Sequence, residues 1–103
     1  MNEKRPIYPI HPGEVLAEQL EELGMTGADL ARALHVPANR IYQLLSEKRA
    51  MTAETALRLE DWLGVEAEFW LNLQKRYELE RARLERSTSG RNAIEPLRRD
   101  DAA

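Results

Sequence analysis

Asn39, Arg40, Tyr42, Gln43 and Ser46 occupy the run NRIYQLLS, and they share one side of any helix that turns Ile41, Leu44 and Leu45 inward. Asn and Gln each carry a donor and an acceptor side by side, the pair that bonds an adenine edge twice. Arg40, with Lys48 and Arg49 downstream, can neutralise phosphates, and Ala38 opens the same face. The surrounding charge agrees: residues 29–58 carry a net +2, against −3 for residues 1–28 and −2 for residues 59–103. The chemistry on offer is recognition of patterned hydrogen-bonding edges beside a polyanion. The same residues would also serve as the solvated face of an ordinary bundle helix.

Other chemistry is poorly supplied. His11 and His35 stand far apart in the chain with no carboxylate or hydroxyl motif around them. His11 reads as a helix-start residue, and His35 as the residue of a tight joint where a left-handed backbone is common. No metal-ligand spacing, phosphate-cradling glycine loop or nucleophile motif is present, so neither an enzyme nor a cofactor is expected. There is no cysteine, which excludes disulfides and thiolate metal sites. No signal peptide opens the chain and no apolar run approaches the roughly 20 residues of a membrane span. A cytoplasmic, soluble protein with no membrane partner is expected.

The elements that must position these residues follow from periodicity. With 103 residues and 43% hydrophobic composition, the chain builds one small domain. An extended arm over residues 1–11, with Pro6 and Pro9, leads to helix 1 at Pro12-Gly13-Glu14, whose apolar stripe is Val15, Leu16, Leu20 and Leu23 and whose stop is Gly24. Thr26 caps helix 2 with Asp29 three residues on, and Leu30, Ala31 and Leu34 face inward. After the three-residue joint His35-Val36-Pro37, helix 3 runs from Pro37-Ala38. Thr52 caps helix 4 (stripe Ala56, Leu59, Trp62, Leu63; stop Gly64), and helix 5 covers about 66–86, beginning with Phe69, Trp70 and Leu73. Glu78/Arg81 and Glu80/Arg83 are spaced for surface ion pairs along it. Residues 87–103 lose periodicity and read as a disordered tail. The expected fold is all-α, five helices, with a helix-turn-helix at helices 2 and 3. The buried set Leu30, Ala31, Leu34, Val36, Ile41 and Leu44 sets the crossing of that pair, and the start of helix 2 at Thr26 can offer backbone N–H groups to a phosphate.

The strings HPGEVLAEQLEELGMT, LARALHVPANRIYQLL, TAETALRLEDWLG and EFWLNLQKRYEL together resemble the HigA-type antitoxins, a branch of the Xre/lambda-repressor-like helix-turn-helix proteins. The resemblance runs from about Ile10 to Leu84, and EFWLNLQ is its most specific part. It implies a five-helix domain that binds a palindromic double-stranded operator as a homodimer. It also implies a HigB-like toxin partner, usually an mRNA endonuclease, that the antitoxin holds inactive. A stand-alone helix-turn-helix transcriptional regulator is the alternative, and a purely protein-binding adaptor a weaker third. The departures are His35 where many relatives have Gly, Ser46-Glu47 where they have Asn-Gly, and Gly27 where related repressors often place a DNA-contacting Gln.

Two further surfaces come into question. Trp70, Leu73 and Tyr77 fall on one side of helix 5 and are expected at the dimer interface, whereas Phe69 is assigned to the core. Glu14, Glu18, Glu21 and Glu22 cluster on the outward side of helix 1. Solvated charge is their default explanation, but an acidic face also suits a basic partner, which makes helix 1 the first candidate for a toxin contact.

Overall fold

The computed structural model describes residues 8–89 and 94–101. Five helices follow in chain order: α1 Pro12–Leu23, α2 Gly27–Leu34, α3 Ala38–Leu45, α4 Ala53–Leu63 and α5 Ala67–Ser89, with a 3-10 turn at Arg99–Asp101. There is no strand among the described residues.

The helix boundaries have visible local causes. His11 caps α1 by accepting the Gly13 N–H on Nδ1 at 2.8 Å, with Pro12 in the first turn where its missing N–H costs nothing. Thr26 and Asp29 form a reciprocal capping box on α2, 3.0 Å and 2.9 Å. Bonds from the Thr26 backbone and hydroxyl, with Arg32 nearby, hold the Asp29 carboxyl below the usual carboxylate range. Thr52 caps α4 by accepting the Thr55 N–H on its hydroxyl at 3.3 Å. The α2–α3 joint turns at His35, with φ of 61°, the left-handed conformation its position implies. Gly24 and Gly64 end α1 and α4.

Leu16, Leu20, Leu30, Ala31, Leu34, Ile41, Leu44, Ala56 and Leu59 make the core, joined by Met51, Ala67 and Trp70. Burying a side chain such as Ile41 or Leu44 contributes about 1.5–3 kcal/mol, and these two anchor α3 to the core. Small Ala31 at the α2–α3 contact lets the two helices approach closely. Val36, Leu45, Trp62 and Leu63 pack against this core half-buried, and Leu23 from the α1 stripe lies outside it, 49% exposed.

Two polar side chains tie the long-range contacts. Gln74 of α5 accepts the Met51 N–H at 2.8 Å, which fixes the α3–α4 connection against α5. Arg58 of α4 donates to the Leu34 carbonyl at 2.8 Å, which closes the end of α2.

The structure departs from expectation along α5. The helix continues three residues past Arg86, to Ser89, because its exposed polar turns meet no breaker before Gly90. Ion pairs form along it at Arg76–Glu80 and Arg81–Glu85, spaced by four, where Glu78/Arg81 and Glu80/Arg83 were expected. Phe69 and Trp70 exchange their expected burial. Trp70 is 1% exposed inside the single chain, with its indole N–H unpartnered, so packing alone holds it; Phe69 is 45% exposed. The rotation of α5 over α4 and α1 decides which of two adjacent aromatics faces the core, and composition does not reveal that rotation. Of the expected arm, residues 1–7 lie outside the described residues, as do residues 90–93 and 102–103 of the expected tail. Ile94 and Leu97 are exposed. No helix among the described residues is long and apolar enough to cross a membrane.

Candidate nucleic-acid interface

α3 presents Ala38, Asn39, Tyr42, Gln43 and Ser46 outward while Ile41 and Leu44 are fully buried, so the helix shows solvent the face that its spacing predicts. Arg40 is half-buried at the edge of this face, 3.7 Å from Glu54, which also pairs with Arg58 at 3.1 Å. Arg32 pairs with Asp29. Much of the positive charge of residues 29–58 is therefore already matched by carboxylates. Among the described residues Lys48 has no carboxylate partner, and Arg49 bonds an amide instead: its Nε and Nη2 both donate to Gln43 Oε1, at 3.1 Å and 2.9 Å.

Two contacts hold the C-terminal half of this helix, from two sides. On one, Gly13 lies against the α3 backbone so closely that a Cβ there would stand 2.0 Å from the Leu44 carbonyl oxygen. Beside it His11 is 3% exposed, and its ring meets the Tyr77 ring edge-on at a centroid distance of 4.7 Å. With Nδ1 accepting from Gly13, the other ring nitrogen donates to the Arg49 backbone. Burial holds the His11 imidazole below its ordinary value, against the opposing pull of the Glu47 carboxylate and the Arg49 backbone bond. The His-Pro-Gly start of α1 thus does more than begin a helix: it seats the end of α3 and the loop carrying Lys48 and Arg49. Sequence reasoning missed this role; the signal was a histidine two residues before a glycine that no turn requires.

On the other side, Tyr42 lies across the start of α2. Its hydroxyl accepts the Ala28 N–H at 3.2 Å, and a Cβ on Gly27 would come within 2.8 Å of the ring. The space that a larger side chain would fill at Gly27 is taken by Tyr42 itself. The Tyr42 hydroxyl keeps its proton free to donate outward, next to the N–H groups at the Thr26 cap. The loop after α3 bends at Glu47 with φ of 66°, a left-handed residue without glycine, at the place where Ser46-Glu47 departs from Asn-Gly.

The acidic residues Glu14, Glu18, Glu21 and Glu22 lie along α1, the last three exposed and Glu14 half-buried. On α5, Leu73 and Tyr77 are half-buried, and Tyr77 also accepts a hydrogen bond from Arg81 at 3.2 Å.

Known proteins match this arrangement. The helix-turn-helix family matches residues 16–70. Virulence-associated protein I of Dichelobacter nodosus is 43% identical over 98 residues, covering 94% of this chain and 89% of that protein. A solved addiction module antidote protein of the HigA family from Coxiella burnetii superposes with a TM-score of 0.81 at 42% identity, over 87% of this chain and 99% of its own. The Pseudomonas aeruginosa antitoxin HigA, solved with the higBA promoter, superposes at 0.80 with 40% identity, over 87% and 99%. The contacts that seat α3, and the likeness over nearly the whole length of these relatives, lead to one assignment: the chain belongs to the helix-turn-helix family, in its HigA-type branch.

Proposed function

We propose that this protein binds its own operator as a two-fold dimer, with α3 of each copy in a major groove, and holds a HigB-like toxin inactive in the cytoplasm. The observation that carries the reading is the outward face of α3, where Asn39, Tyr42 and Gln43 stand clear of the core between the Thr26 cap and the Lys48–Arg49 loop. A relative of the same fold and 40% identity was solved with promoter DNA. Phosphates fall to Lys48, the Tyr42 hydroxyl and the N–H groups at Thr26, and Arg40 joins them by exchanging Glu54 for a phosphate.

Footprinting on the upstream DNA tests the reading. Two protected half-sites should appear, centred about 34 Å apart, one helical turn of DNA. Asn39→Ala should cost roughly 1–3 kcal/mol on that site and little on random DNA. A footprint on a single unsymmetrical half-site, or equal loss on both DNAs, would break it.

For the dimer, Leu73 and Tyr77 of α5 remain the proposed contacts, and Phe69 replaces the buried Trp70. For the toxin, the proposed contact is the acidic side of α1, Glu14, Glu18, Glu21 and Glu22, because charge complementarity speeds encounter with a basic partner. Reversing Glu18, Glu21 and Glu22 to Lys should weaken complex formation at low salt and leave operator binding intact. Unchanged protection of cells from the co-expressed toxin would remove α1 from the interface. Operator binding with no toxin effect anywhere on the surface would leave the stand-alone regulator.

A further inference from the structure

Arg49 and Gln43 form one unit, and the bond between them limits what that unit can read. An arginine carries only donors, so the atom of Gln43 facing it must be the amide oxygen; the geometry admits no flipped amide. Both lone pairs of Oε1 are taken by the Nε–Nη2 edge of the guanidinium. What Gln43 still offers is its Nε2 hydrogens, and what Arg49 offers is its remaining N–H groups. The pair therefore exposes donors and no acceptor, under a positive charge. A free Gln reads adenine because it can accept from the N6 amine while donating to N7, and here that acceptor is spent. In the major groove only guanine sets two acceptors, O6 and N7, side by side, while adenine and cytosine each present an amine that needs an acceptor. Asn39, one turn earlier, has no side-chain partner among the described residues and keeps both functions.

The arrangement is held in place from behind. The Arg49 backbone is fixed by the buried His11 ring, and Ser46 closes the end of α3 by donating to the Gln43 carbonyl at 3.3 Å. The guanidinium is thereby held beside Gln43 on the outward face of α3 rather than left to its charge alone.

We propose that the Arg49–Gln43 pair makes Gln43 a guanine reader in each half-site, and that Arg49 is the residue that sets this preference. The proposal rests on the DNA-binding reading above. Its test is selection of operator fragments from randomised double-stranded DNA with the full-length protein and three variants: Gln43→Ala, Arg49→Met and Asn39→Ala. The position whose preference disappears with Gln43→Ala identifies the base that Gln43 faces, and the parent protein should favour guanine there by about 5- to 150-fold, the span of one bidentate contact. Arg49→Met keeps the aliphatic stem and frees the Gln43 oxygen, so the same position should turn towards adenine. Asn39→Ala should alter a different position. Both pair residues are exposed, and thermal melts of the variants should match the parent. An adenine at the Gln43 position in the parent would overturn the proposal. So would an Arg49→Met protein that weakens on all sequences alike and keeps its guanine. If the parent enriches no sequence at all, the DNA-binding reading itself has failed.

Discussion

Gly13 and Gly27 each bring α3 against another helix, and what each would strike separates two sides of that helix. A Cβ on Gly13 would meet the Leu44 carbonyl oxygen at 2.0 Å and its carbon at 3.0 Å, which is backbone on backbone. A Cβ on Gly27 would meet the Tyr42 ring at 2.8 Å and the Leu45 side chain at 3.2 Å. A ring on an exposed side chain can swing away, whereas a carbonyl inside a helix cannot move without moving the helix. The side facing α1 is thus a fixed seat for α3 and the side facing α2 an adjustable one.

Gly13→Ala gives the largest effect that this comparison predicts. Relieving the contact requires α1 and α3 to separate, which opens the packing of Leu16 and Leu44. The cost should reach about 3 kcal/mol, the upper part of the range for overpacked sites. For a domain of this size that lowers the melting temperature by more than about 10 °C. Thermal unfolding followed by circular dichroism measures it; a melt within a couple of degrees of the parent would show that the α1 seat also adjusts.

His11 sharpens the α1 side through pH. Its folded value lies below its ordinary 6.5, so the folded state holds the ring neutral while the unfolded chain takes up the proton. Stability from this group is complete above about 6.5 and is lost as the pH falls towards the lowered folded value. Protonation also removes the Nδ1 lone pair that accepts from Gly13, loosening the loop that carries Lys48 and Arg49. The melting temperature and operator affinity of the parent should both decline on acidification through this window. His11→Gln can still accept from Gly13 and donate to Arg49, but it does not titrate, so its decline should be shallower. Equal slopes for the two proteins would remove His11 as the cause.

How much of this was legible beforehand depends on sequence distance. The five helices, the Thr26–Asp29 box and the left-handed His35 are written in residues within four places of one another, and each stands where its spacing puts it. The outward set on α3 was legible for the same reason: once Ile41 and Leu44 are inside, the rest is geometry. Contacts spanning many residues were not. Met51 lies in the core with its N–H held by Gln74, 23 residues away. Trp70 and Phe69 are adjacent and both aromatic, so only the rotation of α5 tells which is buried. The Arg49–Gln43 bond needs a loop conformation, with Glu47 at positive φ, that no propensity for glutamate suggests.

Gly27→Ala should have a smaller effect than either change on the α1 side. Alanine favours a helix over glycine by up to about 1 kcal/mol, which offsets much of the displacement of Tyr42, and the melt should move by only a few degrees. The loss should appear in DNA binding, because a displaced Tyr42 gives up the Ala28 N–H and its place beside the Thr26 cap. In a Tyr42→Ala background the same change should cost nothing further in affinity, since the two residues act through one contact. Additive losses would mean that Gly27 and Tyr42 act separately, and the adjustable seat would lose its basis.

Glu47 offers the smallest effect, and one of opposite sign. It holds φ of 66° at the α1-facing end of α3, a conformation that costs a residue with a Cβ about 1–2 kcal/mol. Glycine removes that strain but brings a more flexible unfolded chain, so Glu47→Gly should gain roughly 0.5–1 kcal/mol net. Glu47→Ala keeps the strain and deletes only the charge, and should leave stability close to the parent. The two substitutions then separate backbone from electrostatics in a second measurement. The Glu47 carboxylate raises the His11 value, so removing it by either route should carry the acid transition of His11 to lower pH. Operator affinity should also rise in both variants, because a carboxylate no longer stands near the phosphates proposed for Lys48. If glycine stabilises and alanine does not, while both shift the acid transition, strain and charge at this end of α3 are independent. If neither variant moves the transition, Glu47 does not act on the His11 ring, and the α1 seat is set by packing alone.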